Sequence, residues 1–481
     1  MDICCSFSWL LLLIFILPFV ALKLVIWWRI RHRRKTDRQN NKGAIVRVAF
    51  FHPYCHAGGG GERVLWCSVN ALLERYQFVR CHVFTGDSAT GEEILRRARQ
   101  RFNLKVPNSV EFVHLKSRNL VEASTWPCFT LLGQSIGSLA LGFEALWKFT
   151  PDVYIDSMGY AFTLPLFKWL GGCRVGCYVH YPTISTDMLG RVSQREAAFN
   201  NASFIARSRI LSAGKLLYYR MFAYIYGVAG RRADVVMVNS SWTKDHIMSL
   251  WKIPELTAVV YPPCDTSGFS ANPLKPLPDR STLKHLVVSV AQFRPEKNHA
   301  LQLEAFALFH KNLHLNSKDQ LDAELVLVGG CRNEGDQQRV DELRVLARKL
   351  NIEKSVRFEL NASYDLLRDF LCSATIGLHT MVNEHFGIGV VECMAAGAVT
   401  LAHESAGPKM DIVVEWRGQP TGFLASTVEE YADKMMWVLC MTEQERDNLR
   451  QHARLSARRF DDQTFASAFI SRTEKLVRLA C

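Results

Sequence analysis

No Asp-x-Asp triplet occurs anywhere in these 481 residues. That removes the carboxylate pair by which many enzymes hold a divalent ion against a nucleotide diphosphate. No G-x-x-x-x-G-K-[ST] phosphate loop is present either, and the one long glycine run is not the G-x-G-x-x-G dinucleotide fingerprint. The fourteen cysteines are scattered, and the pair Cys173 and Cys177 lacks partner ligands at zinc spacing, so no metal is expected. There is no short internal repeat and no low-complexity tract. A net charge of +12 brings no recognisable nucleic-acid module with it. Residues 29–42 alone hold seven Lys/Arg against one acid, half of that excess, so no nucleic-acid partner is expected.

The N-terminus also lacks the positive charge that precedes the apolar region of a cleaved signal peptide, offering Asp2 instead. An apolar run of 22 residues, Phe7 to Trp28, comes next and is broken only by Lys23. About 20 residues suffice to cross a bilayer, so residues 7–28 are expected to be a retained transmembrane anchor with Trp27 and Trp28 at the interface. Arg29, Arg31, Arg33, Arg34, Lys35, Arg38 and Lys42 make residues 29–44 a basic juxtamembrane linker. By the positive-inside rule this linker, and the body behind it, face the cytosol. Cytosolic placement also suits cysteines that remain thiols.

With 48% hydrophobic content the remainder can bury two cores, and strand–helix alternation recurs on both sides of residues 262–282. That stretch is rich in proline and polar residues and reads as a linker between domains 45–261 and 283–460. In the second domain strands are expected near 285–293, 323–329, 356–360, 375–381 and 398–403, separated by helices. Such βα repetition implies a parallel sheet. Residues 461–481 read as a C-terminal helix, with Phe465, Phe469, Thr473 and Val477 on one face. A second apolar stretch, Trp126 to Trp147, carries Phe129, Leu132, Ile136, Leu139, Phe143 and Leu146 at three- and four-residue steps. It reads first as a buried helix of the first domain, with membrane docking or a further span as alternatives.

Four segments carry candidate chemistry. In Glu384-His-Phe-Gly-Ile-Gly-Val-Val-Glu392, two carboxylates flank a glycine-bearing turn into a helix that Gly397 should stop. Backbone N–H groups around Phe386, Gly387, Ile388 and Gly389 would emerge from that helix N-terminus toward an oxygen-rich ligand. The strand expected before the turn is Leu378 to Met381. In Ser289-Val-Ala-Gln-Phe-Arg-Pro-Glu-Lys-Asn298, Arg294 and Lys297 lie on a strand-to-helix loop, where two cations can neutralise a departing diphosphate. The strand Ile45 to Phe51 enters four glycines, including Gly60 and Gly61, and then a helix expected from Glu62; such a loop permits close backbone approach to a phosphate or sugar. Finally, in Val175-Gly-Cys-Tyr-Val-His-Tyr-Pro182 a strand ends in His180, where Pro182 stops it. Each feature alone suits a solvated surface as well as a site.

Together these residues resemble the family 4 retaining glycosyltransferases, whose signature E-x7-E is matched by Glu384 and Glu392 and joined by the Arg294/Lys297 loop. The run Glu404-Ser-Ala-Gly-Pro-Lys-Met-Asp-Ile-Val413, with His180-Tyr-Pro182 and the tetraglycine loop, is similar to the branch of that family that extends dolichol-diphosphate-linked oligosaccharides. Ala406 departs from the glycine expected of that branch. The resemblance implies an α/β chain of the GT-B fold: two Rossmann-like domains facing an interdomain cleft, behind an N-terminal transmembrane helix. Residues 45–261 would take the acceptor, 283–460 the donor, and 461–481 would return to the first domain. It further implies α-1,2-mannosyl transfer from GDP-mannose without a metal cofactor, on the cytosolic face of the endoplasmic reticulum membrane, with other mannosyltransferases of the same pathway as further partners. Catalytic roles would fall to Glu384, His180, Lys297 and Arg294, and donor binding to Gly60, Gly61, Arg294, Lys297, Phe386, Gly387, Ile388, Gly389 and Glu392. Glu384 would hold the hexose and Glu392 the ribose. The alternatives are a family member using UDP-N-acetylglucosamine, and a scaffold subunit without turnover.

Overall fold

Apolar runs of strand length followed by segments of helical period dominate the chain from Ile45 onward, and in the computed structural model they form two parallel sheets. The structure describes residues 2–39, 45–102, 104–194, 208–270, 273–274, 284–316 and 322–480. The chain divides into two units. The first comprises Met1–Asn239, Thr243–Val260 and Ala466–Cys481; the second comprises Ser240–Trp242 and Tyr261–Phe465.

The first unit holds β1 (Val46–Phe51), β2 (Val79–Thr85), β3 (Glu111–His114), β4 (Val153–Asp156), β5 (Arg174–Val179), β6 (Val235–Val238) and β7 (Thr257–Val259). They lie in the order β3-β2-β1-β4-β5-β6-β7, every pair parallel. Strands covered by helices on both faces read as continuous apolar runs, which is why Val-Arg-Val-Ala-Phe-Phe makes β1. The order reverses between β1 and β4, so the switch-point crevice opens beyond their carboxyl ends. Tyr154 stacked on Phe167 at 3.7 Å anchors the core on one face, and Phe469 of the C-terminal helix Asp462–Arg478 stacks on Phe50 at 6.5 Å on the other.

Helix Thr130–Lys148 corrects the expectation of a buried apolar stripe. Of the six residues that defined that stripe only Leu146 is buried; Phe129, Leu132, Ile136, Leu139 and Phe143 face outward. The buried face consists mostly of small residues, Gly133, Ser135, Gly137, Ser138, Gly142 and Ala145, with Leu141 and Leu146 among them. Small residues win because neighbouring backbone comes so close: a Cβ on Gly137 would lie 2.0 Å from the Leu120 carbonyl, and one on Gly133 2.3 Å from the Trp126 ring.

The expected span 7–28 falls in helix Asp2–Gln39, but the side chains of residues 1–16 lie outside the described set. Among the described residues no helix is long and apolar enough to cross a membrane.

The second unit holds β8 (His285–Val290), β9 (Ala323–Gly329), β10 (Val356–Leu360), β11 (Ile376–Leu378), β12 (Val399–His403) and β13 (Phe423–Ala425) in the order β10-β9-β8-β11-β12-β13, again parallel throughout. Its switch point lies between β8 and β11. The strand expected over Leu378–Met381 ends at Leu378, because Thr380 is drawn off the sheet toward the Lys297 carbonyl, 3.0 Å from its hydroxyl. β13 is an addition that the sequence did not announce. Of the expected linker 262–282, residues 266–270 form a short helix, and 271–272 and 275–282 lie outside the described residues.

Candidate functional site

In the second unit the β8/β11 switch point gathers the cations and the first glutamate. The loop after β8 brings Arg294 to the start of a 3-10 turn, Pro295–Lys297, and Asn298 at φ 50° sends the chain into helix His299–Asn316. The Lys297 ammonium donates to the Glu384 carboxylate and lies 3.1 Å from Met381 Sδ. His379, the first residue past β11, places Nε2 3.2 Å from Glu384 Oε2, while its carbonyl accepts from the Tyr431 hydroxyl at 2.8 Å. Burial alone would raise the Glu384 pKa, but the charge of Lys297 and the His379 hydrogen bond outweigh it and hold the carboxyl well below the usual range. Arg294 remains half-exposed, 3.7 Å from Glu296 and away from Glu384.

Gly387, at φ 113° and ψ 60°, makes the turn that only glycine adopts without strain. Helix Ile388–Ala396 starts at once and ends at Gly397, φ 90°, the expected stop. Its first N–H groups have no intrahelical partner by geometry. Glu392 lies on the half-exposed side of this helix, with Val390, Val391 and Cys393 turned into the core. Glu384 and Glu392 therefore stand on either side of one turn, as the spacing requires.

The run 404–413 supports that turn. Gly407 N donates to the Glu384 carbonyl at 3.0 Å, and a Cβ there would meet the Phe386 carbonyl at 2.3 Å. The Ser405 hydroxyl accepts from Asn383 N at 2.8 Å. Ala406, where glycine was expected, sits at φ 44°, in the left-handed region. Asp411 accepts from Ser241 N at 3.0 Å and from the Tyr261 hydroxyl at 2.9 Å, and the Trp242 ring stacks on His385 at 5.5 Å.

In the first unit the β1/β4 switch point brings together two histidines and the glycine loop. His52 follows β1 and Ser157 follows β4; His52 Nδ1 and Ser157 Oγ are 2.9 Å apart. His180 follows β5, its carbonyl accepting from Asn239 Nδ2 at 2.9 Å. A Cβ on Gly61 would stand 3.6 Å from His180 Nε2 and 3.9 Å from His52 Cε1, so the glycine backbone packs directly against both imidazoles. Burial, then the nearby His180, lower the His52 pKa to about 3, which keeps it neutral. Burial likewise lifts Asp156 to about 7 against the N–H groups of Met158 and Gly159.

The glycine loop is held rather than loose. Glu62 accepts from the amides of Ala57 at 3.1 Å, Gly58 at 3.1 Å and Gly59 at 2.6 Å. An internal carboxylate thus takes the anion position at the head of helix Gly60–Arg75, which begins two residues before the expected Glu62. Gly60 and Gly61 open that helix beside His180.

Sequence reasoning placed Arg294, Lys297, Glu384 and Glu392 but missed His379, His52 and Asp411. A histidine just past an apolar strand was the available signal, since His52-Pro53 and Leu378-His379 repeat the arrangement that singled out His180. Among the described residues no group of three or more His, Cys, Asp or Glu is placed to hold a metal ion.

Residues 45–251 match the family model described as ALG11 mannosyltransferase N-terminus, and residues 278–456 match that of glycosyl transferases group 1. A mouse protein named GDP-Man:Man(3)GlcNAc(2)-PP-Dol alpha-1,2-mannosyltransferase is 55% identical over 458 residues, covering 94% of this chain and 92% of its own. The human protein of that name is 54% identical over 465 residues, 95% of this chain and 94% of its own. Among solved structures, Anabaena Alr3699/HepE in complex with UDP superposes with a TM-score of 0.60 at 16% identity, over 90% of this chain and 100% of that one. That likeness shows a GT-B-like α/β fold with two parallel-sheet domains. With relatives of this identity along nearly its whole length, the chain belongs to the GDP-Man:Man(3)GlcNAc(2)-PP-Dol alpha-1,2-mannosyltransferase family.

Proposed function

We propose that this chain moves a mannosyl group from GDP-mannose, with its α configuration retained, onto a mannose 2-hydroxyl of a dolichol-diphosphate-linked Man3GlcNAc2-type oligosaccharide. The observation that carries the reading is the 55% identity, over 94% of the chain, with a protein of that name. Arg294 and Lys297 stand where a diphosphate is balanced by two permanent cations, so activity needs no metal. Before the donor arrives Lys297 and Glu384 neutralise each other. A diphosphate draws the ammonium away and frees Glu384 for a hexose hydroxyl, coupling donor binding to assembly of the sugar site. Glu392 takes the ribose, the amides from Phe386 to Gly389 hold the donor, Gly60 and Gly61 are assigned to donor binding, and His180 takes a catalytic role. In the transfer the bond from C1 to the phosphate oxygen breaks and GDP leaves. The acceptor oxygen bonds to C1 on the same face, and its proton passes to the departing phosphate.

The same reading puts the chain in the endoplasmic reticulum membrane through residues 7–28, with its catalytic units on the cytosolic side beside other mannosyltransferases of the pathway. Purified full-length protein should transfer labelled mannose from GDP-mannose to Man3GlcNAc2-diphosphate-dolichol, and an α-1,2-specific mannosidase should release it. Transfer from UDP-N-acetylglucosamine instead, or from no donor, would refute the reading.

A further inference from the structure

Four segments far apart in the sequence meet on the turn that carries Glu384. The Trp242 ring lies nearly parallel to His385, 5.5 Å away with 18° between the planes. Phe386 is buried against two more rings, Tyr261 at 5.8 Å and Phe460 at 5.2 Å. All three partners belong to the second unit, and each lies at or near a point where the chain passes between the units, at 242/243, 260/261 and 465/466. The fourth segment is the run 404–413. It ends in a π-turn, Pro408–Ile412, closed by Val413 N on the Pro408 carbonyl at 2.8 Å, a rare form that recurs at functional sites. Within it Asp411 is 2% exposed. Its carboxylate accepts from Ser241 N at 3.0 Å, from Ser241 Oγ at 2.6 Å and from the Tyr261 hydroxyl at 2.9 Å, while the Arg459 guanidinium donates to the Asp411 carbonyl at 3.2 Å. Three donors converging on one carboxylate are what an ionised group needs in order to stay buried.

We propose that Asp411 is a positioning residue for the transfer: its carboxylate ties Ser240–Trp242 and Tyr261 to the run 404–413, and that run sets the place of Glu384. The inference rests on the proposed mannosyl transfer and adds what holds its sugar-binding carboxylate. The link to Glu384 is made by the backbone. Gly407 N donates to the Glu384 carbonyl at 3.0 Å and Ser405 Oγ accepts from Asn383 N at 2.8 Å, so Glu384 and the residue before it both hang on the run that Asp411 fixes. The contact is too close to slip, since a Cβ on Gly407 would already stand 2.3 Å from the Phe386 carbonyl. With its carboxylate buried on Ser241 and Tyr261, Asp411 acts through Glu384 and not on the sugar. Glu392 is carried by helix Ile388–Ala396, and Arg294 and Lys297 by the loop after β8. Loosening the run therefore costs turnover and spares donor affinity, and a misplacement of about 1 Å in a group that acts in the transition state can cost about a hundredfold in rate.

The test is a mutant cycle in purified full-length protein, with kcat and KM for GDP-mannose measured well below the melting transition. Asp411→Asn keeps the shape of the side chain and removes its charge. Tyr261→Phe keeps the ring and removes one donor, and it carries the test alone if the asparagine variant does not fold. Asp411→Asn should lower kcat by on the order of tenfold, and Tyr261→Phe by a smaller factor, with KM held within about twofold in both. In a Glu384→Ala background neither should lower kcat further, because the residue through which they act is gone. Hydrogen exchange supplies a readout that needs no sugar: peptides spanning Asn383 and Gly407 should exchange about tenfold faster in Asp411→Asn, with those of β8 and β12 unchanged. Parental kcat in both variants would overturn the proposal, as would a loss that falls on KM instead or that appears in full on top of Glu384→Ala. If the parent transfers no sugar, the enzymatic reading fails. Faster exchange at Asn383 and Gly407 would then still uphold the tie, and parental exchange would overturn it as well.

Discussion

Replacing Lys297 by alanine should separate what the Lys297–Glu384 pair does for stability from what it does for transfer. The two side chains keep 22% and 13% of their surface, so the pair is largely but not wholly desolvated. Breaking a fully buried pair from one side costs about 3–5 kcal/mol, because the remaining charge is stranded. Residual solvent and the His379 hydrogen bond reduce that here to about 2 kcal/mol, or roughly 4–8 °C in melting temperature for a unit of this size. The loss should depend on pH. In the parent, Glu384 is held below its ordinary 4.5, so its contribution is present above that value and disappears only as acid titrates the folded carboxyl. Without Lys297 the largest of the lowering causes is gone, and the folded pKa moves up from its parental position. The variant then lacks stabilisation that the parent has above the ordinary carboxylate pKa, so its deficit should be large at neutral pH and shrink in acid. Lys297→Ala combined with Glu384→Gln leaves no stranded charge and should recover most of the melting temperature. Transfer should fall by on the order of a hundredfold or more in either variant and not return in the double, since a cation at the departing diphosphate is gone. Melting curves across pH, with initial rates from GDP-mannose, decide the matter. A Lys297→Ala protein with parental rates and a parental melting temperature at every pH would refute the pairing and the phosphate assignment together.

Glu384→Ala should lower turnover by at least about a hundredfold, while Glu392→Ala should mainly raise KM for the donor; near-normal kinetics for Glu384→Ala would refute its placement at the sugar. Transfer should survive EDTA, and its loss in chelator with recovery in magnesium or manganese would show that the two cations are not enough. The sequons at Asn201, Asn239 and Asn361 should stay unmodified if the units face the cytosol, which a mass shift on deglycosylation, mapped to any of them, would contradict. Ala406→Gly should barely move the melting temperature, since relief of a left-handed φ, about 1–2 kcal/mol, is offset by a lost buried methyl and by the freer unfolded chain. Ala406→Val should cost about 2 kcal/mol or more, and a stabilised valine variant would show that the φ carries no strain.

The contrast between helix Ile388–Ala396 and helix Thr130–Lys148 shows what the sequence could and could not say. The first was legible to within a residue, because Gly387 and Gly397 each occupy a conformation that other residues avoid, and local geometry of that kind is written locally. The strands before the site residues were legible for a similar reason: a parallel strand covered on both faces must be apolar throughout. In Thr130–Lys148 the periodicity was equally clear and its meaning was inverted. A 3.6-residue period establishes that one face differs from the other, and burial results only if the apolar face is also the one that neighbouring chain can approach. The glycines and serines at 133, 135, 137, 138 and 142 were the decisive signal, since a stripe of small residues marks close backbone packing. The large residues opposite were left for another environment.

The same limit explains the site. Glu384, Lys297 and Arg294 could be named because charge on a strand-to-helix loop is conspicuous in a sequence. That Lys297 and His379 would both close on Glu384 depends on β8 and β11 being neighbours across a switch point, although 85 residues (291–375) separate Val290 from Ile376 in the chain. Once that adjacency is given, the chemistry becomes ordered. On the proposed reading, a lysine that must choose between a carboxylate and a diphosphate would make the sugar-holding group available only when the donor is present. The observed Lys297–Glu384 pair and the proposed donor site would then be two states of one ion-pairing equilibrium, set by which anion the ammonium faces.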